Sequence, residues 1–291
     1  AEAPDIETVE TLFRRGEIKM ALVLPPRFGE DLHACRSVTV QLLTDGSEPN
    51  IASLLAAYAA DVLRAFQSEI APDAPPPRIA LNPRMVYNPE MRSVFLFVPG
   101  VIAVVLMLIS AMLTSLSIAR EKERGTLNLL LISPLPPGLI IVGKVLPYAL
   151  ISFLNALAII GMGMGVFGMR MLGSWAFLLL SCLLFILTAL GLGLFISTRV
   201  QTQQTAMFAS LMGLMLPTVL LSGYIFPIES MPQVLQILSN VVPAKWFILL
   251  LRGIMLKGAG LGALWVPTLV LAGMALFFLL LSRKNFKLQM P

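Results

Sequence analysis

The chain has 291 residues, of which 57% are hydrophobic and 13% are charged, and its mean hydropathy is +0.85. Because soluble domains carry about 25% charged residues, this composition excludes an ordinary soluble protein. The net charge of +5 does not indicate nucleic-acid binding, since the basic residues of the second half flank apolar runs and are explained by membrane orientation. We therefore expect an integral membrane protein without a nucleic-acid partner.

The charge of the chain divides near residue 93. Residues 1–93 hold nine Lys and Arg against thirteen Asp and Glu, a net charge of −4, whereas residues 94–291 hold twelve against three, a net charge of +9. This division predicts two domains. Residues 1–93 form a domain outside the membrane, and residues 94–291 form a transmembrane domain.

Residues 1–93 alternate helical patterns with short apolar runs that end at Pro and Gly turns. Helices are predicted over 6–15, 28–33 and 50–70, and strands over 18–24, 37–43 and 78–86. The long helix has one apolar face at helical spacing, formed by Ile51, Leu54, Leu55, Tyr58, Val62 and Phe66. The sequence therefore predicts a small α+β domain, incomplete at its N-terminus.

This outer domain offers little chemistry. His33 is the one histidine of the chain, and nothing around it beyond Asp31 and Cys35 resembles a catalytic or metal-binding set. Cys35 lies in the outer domain and Cys182 in the middle of a predicted span, so a disulfide between them is not expected. No catalytic residue and no metal site is predicted.

The second half contains five apolar stretches, each long enough to cross a bilayer as a helix, which needs roughly 20 residues. The predicted spans are 94–118, 140–166, 174–197, 204–224 and 262–282. Their interiors carry no Asp, Glu, His, Lys or Arg. An intramembrane enzyme or an ion-coupled pump needs such groups inside the bilayer, so a transporter of this kind must take its energy from a partner.

Basic residues give the orientation. Eight of the twelve in residues 94–291 fall on one side of the spans, namely Arg120, Lys122, Arg124, Lys144, Arg199, Arg283, Lys284 and Lys287. The positive-inside rule places that side in the cytoplasm, so the C-terminus is inside and residues 1–93 are outside. Because no export signal follows Ala1, we expect one more span upstream, and six in the full protein.

A dense group of charges follows the first span directly. It consists of Arg120, Glu121, Lys122, Glu123, Arg124, Gly125, Thr126 and Leu127. A charged segment at the inner end of a span transmits force only by contacting something soluble. We therefore predict that residues 119–137 couple the protein to a cytoplasmic partner.

Residues 138–144 follow the spacing G-x-x-x-x-G-K of a phosphate-binding loop. Val145 stands where that motif needs a Ser or Thr for magnesium, and the intervening residues are apolar and lead into a span. We interpret the segment as the inner rim of the second span, with Lys144 reaching the interface. The chain is therefore expected to lack an ATPase of its own.

A methionine group, Met162, Met164, Met169 and Met171, resembles a thioether site for cuprous ion. No Cys or His is near it in the sequence. Flexible Met beside small residues is typical of close helix packing, and packing is the preferred interpretation.

The segment after the fourth span, residues 225–247, is interrupted by prolines, and its apolar pieces are too short to span. It is typical of a re-entrant or interfacial element on the outer side. We predict an outer gate formed by Phe226, Pro227, Glu229, Met231 and Pro232. A simple amphipathic external loop is the alternative.

Together these features resemble the membrane permease subunits of type-two ABC exporters, the bacterial multidrug-efflux kind with a large periplasmic domain. The matching residues are Glu121 to Leu127, Leu130, Ser133, Pro134, Gly143, Lys144, Gly223, Phe226, Pro227, Ser230 to Pro232, Pro243, Trp246, Phe247, Lys257 and Gly258. Asn128 departs from the acidic residue common after Gly-Thr-Leu in that family. The family's first span is absent from this chain.

The resemblance implies a membrane all-α bundle with a small periplasmic α+β domain, multi-pass in the bacterial inner membrane and with a cytoplasmic C-terminus. It implies a permease, not an enzyme, that forms a homodimer or a related heterodimer in membrane lipid. Cytoplasmic ABC ATPase subunits would bind it and hold ATP and Mg, with no cofactor on this chain, and a periplasmic partner is a further expectation. The substrate would be an amphiphilic drug, lipid or peptide. The alternative is a non-transporting membrane anchor or receptor with a ligand-binding outer domain.

Overall fold

The computed structural model of the protein describes residues 5–34, 36–70, 79–126, 137–169 and 171–287. The chain divides into two compact units, Ala1–Leu96 and Phe97–Pro291. Cys182 is buried and free in the second unit, whereas Cys35 and Arg170 lie outside the described residues.

In the described part of the first unit, three helices accompany a three-stranded sheet. The elements are α1 (Ile6–Arg15), β1 (Met20–Val23), α2 (Phe28–His33), β2 (Val38–Asp45), α3 (Pro49–Ile70) and β3 (Ile79–Val86). The predicted small α+β domain is confirmed. β1 is shorter than the apolar run 18–24 from which it was predicted.

β2 lies in the middle of the sheet, antiparallel to β1 and parallel to β3. Leu42 pairs with Leu22 of β1, and Val40 pairs with Leu81 of β3. A central strand has neighbours on both edges, which agrees with the complete burial of Val40 and Leu42.

Helix α1 begins and ends at residues suited to those positions. Asp5 Oδ1 accepts a hydrogen bond from the backbone N–H of Thr8 at 2.8 Å, and Gly16 follows the last turn with φ 71°. Both arrangements satisfy backbone groups that a helix end leaves free. The helix thereby holds Val9 and Phe13 in one apolar cluster with Leu43 of β2.

Most of α3 is exposed. Its buried residues are Pro49 and Ala52, both in the first turn. The apolar face expected from the sequence exists, but Tyr58 is 60% and Val62 is 67% exposed. The first turn therefore anchors the helix, and the described structure leaves the rest of this face largely open.

The described residues of the second unit are helical or lie in short turns. The elements are α4 (Val94–Glu123), α5 (Pro137–Gly165), α6 (Trp175–Arg199), α7 (Gln203–Ser210), a π-helix (Leu211–Met215), α8 (Leu216–Leu221), a 3-10 helix (Ile228–Ser230), α9 (Gln233–Ser239), α10 (Pro243–Lys257) and α11 (Trp265–Lys287).

Five stretches of the described residues are helical, long and apolar enough to cross a bilayer. They are Val94–Glu123, Val142–Gly165, Trp175–Arg199, Gln203–Leu221 and Trp265–Ser282. These stretches coincide with the five predicted spans, so the expected multi-pass membrane bundle is confirmed. α9 and α10 form a further pair, bent by 80° at a short break, as in a re-entrant loop or a broken span.

Helix α6 is the centre of the bundle, because α5, α10 and α11 all pack against it. A side chain at Gly193 would strike the backbone of Ala111 in α4, and one at Gly191 would meet Phe278 of α11 at 3.0 Å. Glycine at these two positions therefore allows the helix backbones to approach closely. On the side of α10, the rings of Phe185 and Phe247 stack with centroids 4.1 Å apart.

The fourth span changes helix type halfway along. The α-helical turns of α7 are followed by the π-helix, and α8 completes the span. Pro217 supplies a reason, because a proline has no N–H to donate and its ring clashes with the carbonyl four residues earlier, here that of Gly213. The π turn is wider than an α turn and interrupts the regular α-helical hydrogen bonding, and such turns often occur at functional sites.

Candidate functional site

The charges singled out in the sequence lie at the end of α4. Arg120 to Glu123 form its last helical residues, and Gly125, with φ 71°, follows the end of the helix. We call Arg120 to Thr126 the charged cluster. Leu127 and the rest of the predicted coupling segment up to residue 136 lie outside the described residues.

Glu121 of the charged cluster forms an ion pair with Lys144 in α5, and the two side chains are 25% and 16% exposed. Lys144 was expected to reach the membrane interface, but it pairs with a carboxylate, which offsets the desolvation cost of a largely buried cation. Residues 138–145 are helical from Pro137 onward, so the segment with phosphate-loop spacing is not a loop.

Lys122 contacts the end of α6. Its Nζ atom donates to the carbonyl oxygen of Ser197 at 2.7 Å and to that of Val200 at 3.5 Å. The last carbonyls of a helix have no partner within the helix and carry partial negative charge. A lysine placed there donates hydrogen bonds to carbonyls that the helix itself leaves without a partner.

Glu123 and Arg120 both contact Gln203, the first residue of α7. Glu123 Oε2 accepts hydrogen bonds from the backbone N–H of Gln203 at 3.0 Å and from its Nε2 at 3.1 Å. Arg120 Nε donates to Gln203 Oε1 at 3.0 Å. The charged cluster is thereby bonded to three other helices: α5, α6 and α7.

Arg124 is the charged member of the cluster that makes none of these contacts with α5, α6 or α7. It is exposed, and within the described ranges its guanidinium makes no hydrogen bond or ion pair. Its charge is therefore available to a second molecule, whereas Arg120, Glu121, Lys122 and Glu123 contact neighbouring helices.

The predicted outer gate lies around an apolar cavity of about 560 Å³. Of the five residues predicted for it, Phe226, Pro227, Met231 and Pro232 line the cavity, together with Leu216, Pro217, Leu220, Leu221, Ser230 and Leu235. Glu229 lies beside it in the 3-10 helix. We call residues 225–247 the proline segment.

Two prolines fix the shape of the turn that borders this cavity. Pro227 precedes the 3-10 helix with φ −56° and ψ 134°, and Pro232 precedes α9 with φ −56° and ψ 148°. The proline ring restricts φ to about −65°. Each residue is therefore held in the extended conformation that the start of the next helix needs.

Reasoning from the sequence missed Arg252 of α10 as a structural residue. It is 5% exposed, and its Nη2 donates to the carbonyl oxygen of Gly223 at 3.1 Å. Gly223 has φ 78° and follows α8. A lone arginine within an apolar stretch was the available signal, because buried charges are costly and are kept where they bind something.

Gln203 was missed as well. Thr202 caps α7 through reciprocal hydrogen bonds with Thr205, and this pattern marks in the sequence where the helix begins. The contact between Gln203 and the charged cluster joins residues 80 positions apart. No local pattern predicts a pairing over that distance.

Comparison with known families gives one result that covers nearly the whole chain. The sequence profile of the family described as ABC-2 family transporter protein matches residues 1–284. The match includes the first unit and all five candidate spans of the second.

Individual relatives agree with the family match. The chain is 33% identical over 268 residues to the "Probable multidrug ABC transporter permease YbhS" of Escherichia coli (strain K12), which covers 91% of this chain and 71% of that protein. It is 33% identical to YbhR of the same strain, a permease described in the same words, over 90% of this chain and 69% of the relative. It is 28% identical to "Inner membrane transport permease YhhJ" of the same strain, over 92% of this chain and 73% of that protein.

Proposed function

This chain belongs to the ABC-2 family of transporter proteins, and we propose that it is the permease subunit of an ATP-driven exporter for an amphiphilic substrate. The drug, lipid or peptide would leave the cytoplasm or the inner leaflet of the bacterial inner membrane. ATP hydrolysis belongs to separate ABC ATPase subunits that hold ATP and Mg, and the chain itself is a transport component and not an enzyme.

The observation that carries this proposal is the charged cluster. Three of its side chains are bonded to α5, α6 and α7, so a displacement of this one segment reaches four helices of the bundle. Arg124 beside them is exposed. A soluble subunit that docks here would act on the spans together, as an ATP-driven transporter requires.

An amphiphilic substrate fits the chemistry of the membrane unit. The cavity at the proline segment is lined by apolar side chains, with Ser230 as the one hydroxyl among its lining residues. Ligand sites of this kind are mostly apolar with few polar groups. Relatives described as multidrug permeases agree with a substrate defined by apolar surface more than by charge.

The remaining parts of the proposal concern assembly and orientation. Two permease copies, identical or related, would form the path, with the charged cluster and the C-terminus in the cytoplasm and the first unit in the periplasm. The excess of basic residues on the side of the charged cluster supports this orientation. A periplasmic partner would contact the first unit.

The test uses the full-length protein and its ATPase subunits in proteoliposomes, with ATP-dependent transport of a fluorescent amphiphilic dye as the readout. Arg124→Glu should lower transport about tenfold, the factor that corresponds to losing roughly 1.4 kcal/mol of docking free energy. Arg64→Glu is the matched control, the same change at an exposed arginine of the first unit, and it should leave transport unchanged.

The proposal would be contradicted if the wild-type protein transports dye without ATP, or if it transports none of several amphiphilic dyes. Equal activity of Arg124→Glu and wild type would contradict the docking role of the charged cluster. Co-purification of the ATPase subunits with each variant reports the docking contact, and thermal unfolding of the permease in detergent reports its fold.

A further inference from the structure

Two side chains of the charged cluster bind the short turn between α6 and α7, one at each end. Lys122 binds the carbonyls that end α6, and Glu123 binds the N–H that begins α7. The two helices are joined by residues 200–202. The end of α4 therefore holds the α6–α7 turn at both of its helix ends.

The signs of the charges suit this arrangement. A helix carries partial negative charge at its C-terminal end and partial positive charge at its N-terminal end. Lysine faces the end of α6 and glutamate faces the start of α7, so each charge meets the helix end that attracts it. Gln203 adds two side-chain contacts, one to Glu123 and one to Arg120.

A second set of contacts joins α4 and α7 deeper in the bundle. The hydroxyls of Ser115 in α4 and Ser210 in α7 are 2.8 Å apart, and Ser115 Oγ also lies 3.5 Å from the carbonyl oxygen of Ala206. Both serines are fully buried. Thus α7 is bonded to α4 at its first residue and at its last, and the π-helix begins directly after Ser210.

The hydrogen bonds between Glu123 and Gln203 contribute little to folding, because Glu123 is exposed and Gln203 is only partly buried. Water competes for hydrogen bonds at such positions, and salt screens the charge. Their removal therefore leaves the bundle folded. Any consequence of removing them appears in the movement of α7 relative to α4.

We propose that Gln203 is a positioning residue that makes α7, the inner half of the fourth span, move as one body with the end of α4. The movement imposed on the charged cluster is then delivered through α7 to the π-helix, where the fourth span changes helix type. The outer half of that span, α8, lines the apolar cavity through Leu216, Leu220 and Leu221. This inference rests on the proposed function, since it describes how docking of the ATPase subunits reaches the cavity.

The experiment measures dye exported per ATP hydrolysed by the full-length protein with its ATPase subunits in proteoliposomes. Gln203→Ala removes the two side-chain contacts and should lower this ratio about fivefold, the factor that corresponds to roughly 1 kcal/mol for two solvent-exposed hydrogen bonds together. Basal ATP hydrolysis should not change. Gln204→Ala is the matched control, because Gln204 is the exposed neighbour in the same turn of α7, and its ratio should equal that of wild type.

A double-mutant cycle separates this role from a general weakening. If Glu123 and Gln203 act through each other, the loss of coupling in Glu123→Ala with Gln203→Ala should be smaller than the product of the two single losses, because each single variant already removes the hydrogen bond between the two side chains. Glu123→Gln should retain most of it, since an amide oxygen still accepts from the N–H of residue 203. The inference would be overturned if the losses of the two single variants multiply in the double variant, or if Gln203→Ala keeps the wild-type ratio. Either result leaves the proposed function intact.

A cross-link tests the movement as one body without depending on those variants. In a background with the native cysteines changed to Ser, Ser115→Cys and Ser210→Cys place two thiols where the hydroxyls are in contact. Oxidation should leave the export rate equal to that of the protein with reduced thiols, because α4 and α7 do not separate. Loss of export on oxidation, restored by a reductant, would overturn the inference, whereas absence of ATP-dependent export in the wild-type protein would overturn the proposed function and this inference with it.

Discussion

Glu121 and Lys144 form an ion pair that joins the last turns of α4 to the second turn of α5. The predicted coupling segment 119–137 lies almost entirely between these two residues in the sequence. The pair therefore connects the two helices on either side of that segment, so a displacement of the end of α4 also acts on α5.

Removing one partner of this pair should destabilise the protein. Glu121→Gln leaves the largely buried cation of Lys144 without its counter-charge, at a cost of about 2 kcal/mol. The unfolding temperature in detergent should fall, as measured by thermal unfolding with a thiol-reactive dye. The swap Glu121→Lys with Lys144→Glu preserves the pair and should recover most of the loss. A swap as unstable as the single variant would show that the attraction contributes nothing.

Close packing makes a second prediction at Gly100 in α4. A Cβ atom built there would overlap the ring of Tyr224, which also packs edge to face against Phe97 at a centroid distance of 6.1 Å. Gly100→Ala should therefore destabilise the protein by about 1–3 kcal/mol, the usual cost of overpacking. Thermal unfolding is again the measurement.

The control for Gly100→Ala replaces Tyr224, the residue that the added Cβ atom would overlap. Tyr224→Leu removes the ring that causes the clash, so the double variant should be more stable than Gly100→Ala alone. Gly273 in α11 is a matched glycine, because a Cβ atom there meets nothing within 4 Å. Gly273→Ala should be neutral or slightly stabilising.

Length and hydropathy predict the spans because a bilayer imposes a minimum length of apolar helix. The same rule predicted that the apolar pieces of residues 225–247 are too short to span, and α9 with α10, bent by 80°, fits either a re-entrant loop or one broken span. The local helical pattern predicted α1 over residues 6–15, and the prolines predicted the break before α9 at Pro232. These features depend on neighbours in the sequence, which is why they could be predicted.

The partners of the charged cluster could not be predicted. Lys144 was assigned to the interface because its sequence neighbours give no sign of Glu121, and Gln203 lies 80 positions from Glu123. Such pairs depend on how the helices pack. The π-helix is an intermediate case, since Gly213 and Pro217 are four residues apart and would have indicated a disturbed helix.

The orientation of the two units relative to the membrane gives a third prediction. Cysteines introduced at Ser68 and at Gln289 should react differently with an impermeant maleimide on cells whose outer membrane is permeable to it. Ser68 is exposed in α3 and should be labelled, whereas Gln289 should be labelled only after lysis. Ser47 would be a poor probe, because it is 2% exposed. Equal labelling of both sites in intact cells would contradict the orientation.

The proline segment gives the last prediction. Pro227 and Pro232 hold the turn between α8 and α9 with the same φ of −56°, and both line the apolar cavity. Alanine at both positions restores two N–H groups and lets the turn sample other conformations, because proline no longer restricts φ. If the turn is a gate, this double variant should insert and bind its ATPase subunits normally but export dye several-fold more slowly, or leak it without ATP.

The matched control for the gate is Pro267 in the first turn of α11, which is not among the residues that line the cavity. A proline in the first helical turn is replaced at little cost, so Pro267→Ala should leave dye export at the wild-type rate. A simple external loop tolerates change, so wild-type export and ATP coupling in the Pro227→Ala, Pro232→Ala variant would contradict the gate and favour the loop. Leak without ATP is the more specific result, because a misfolded permease loses transport but does not open a path for the dye across the bilayer.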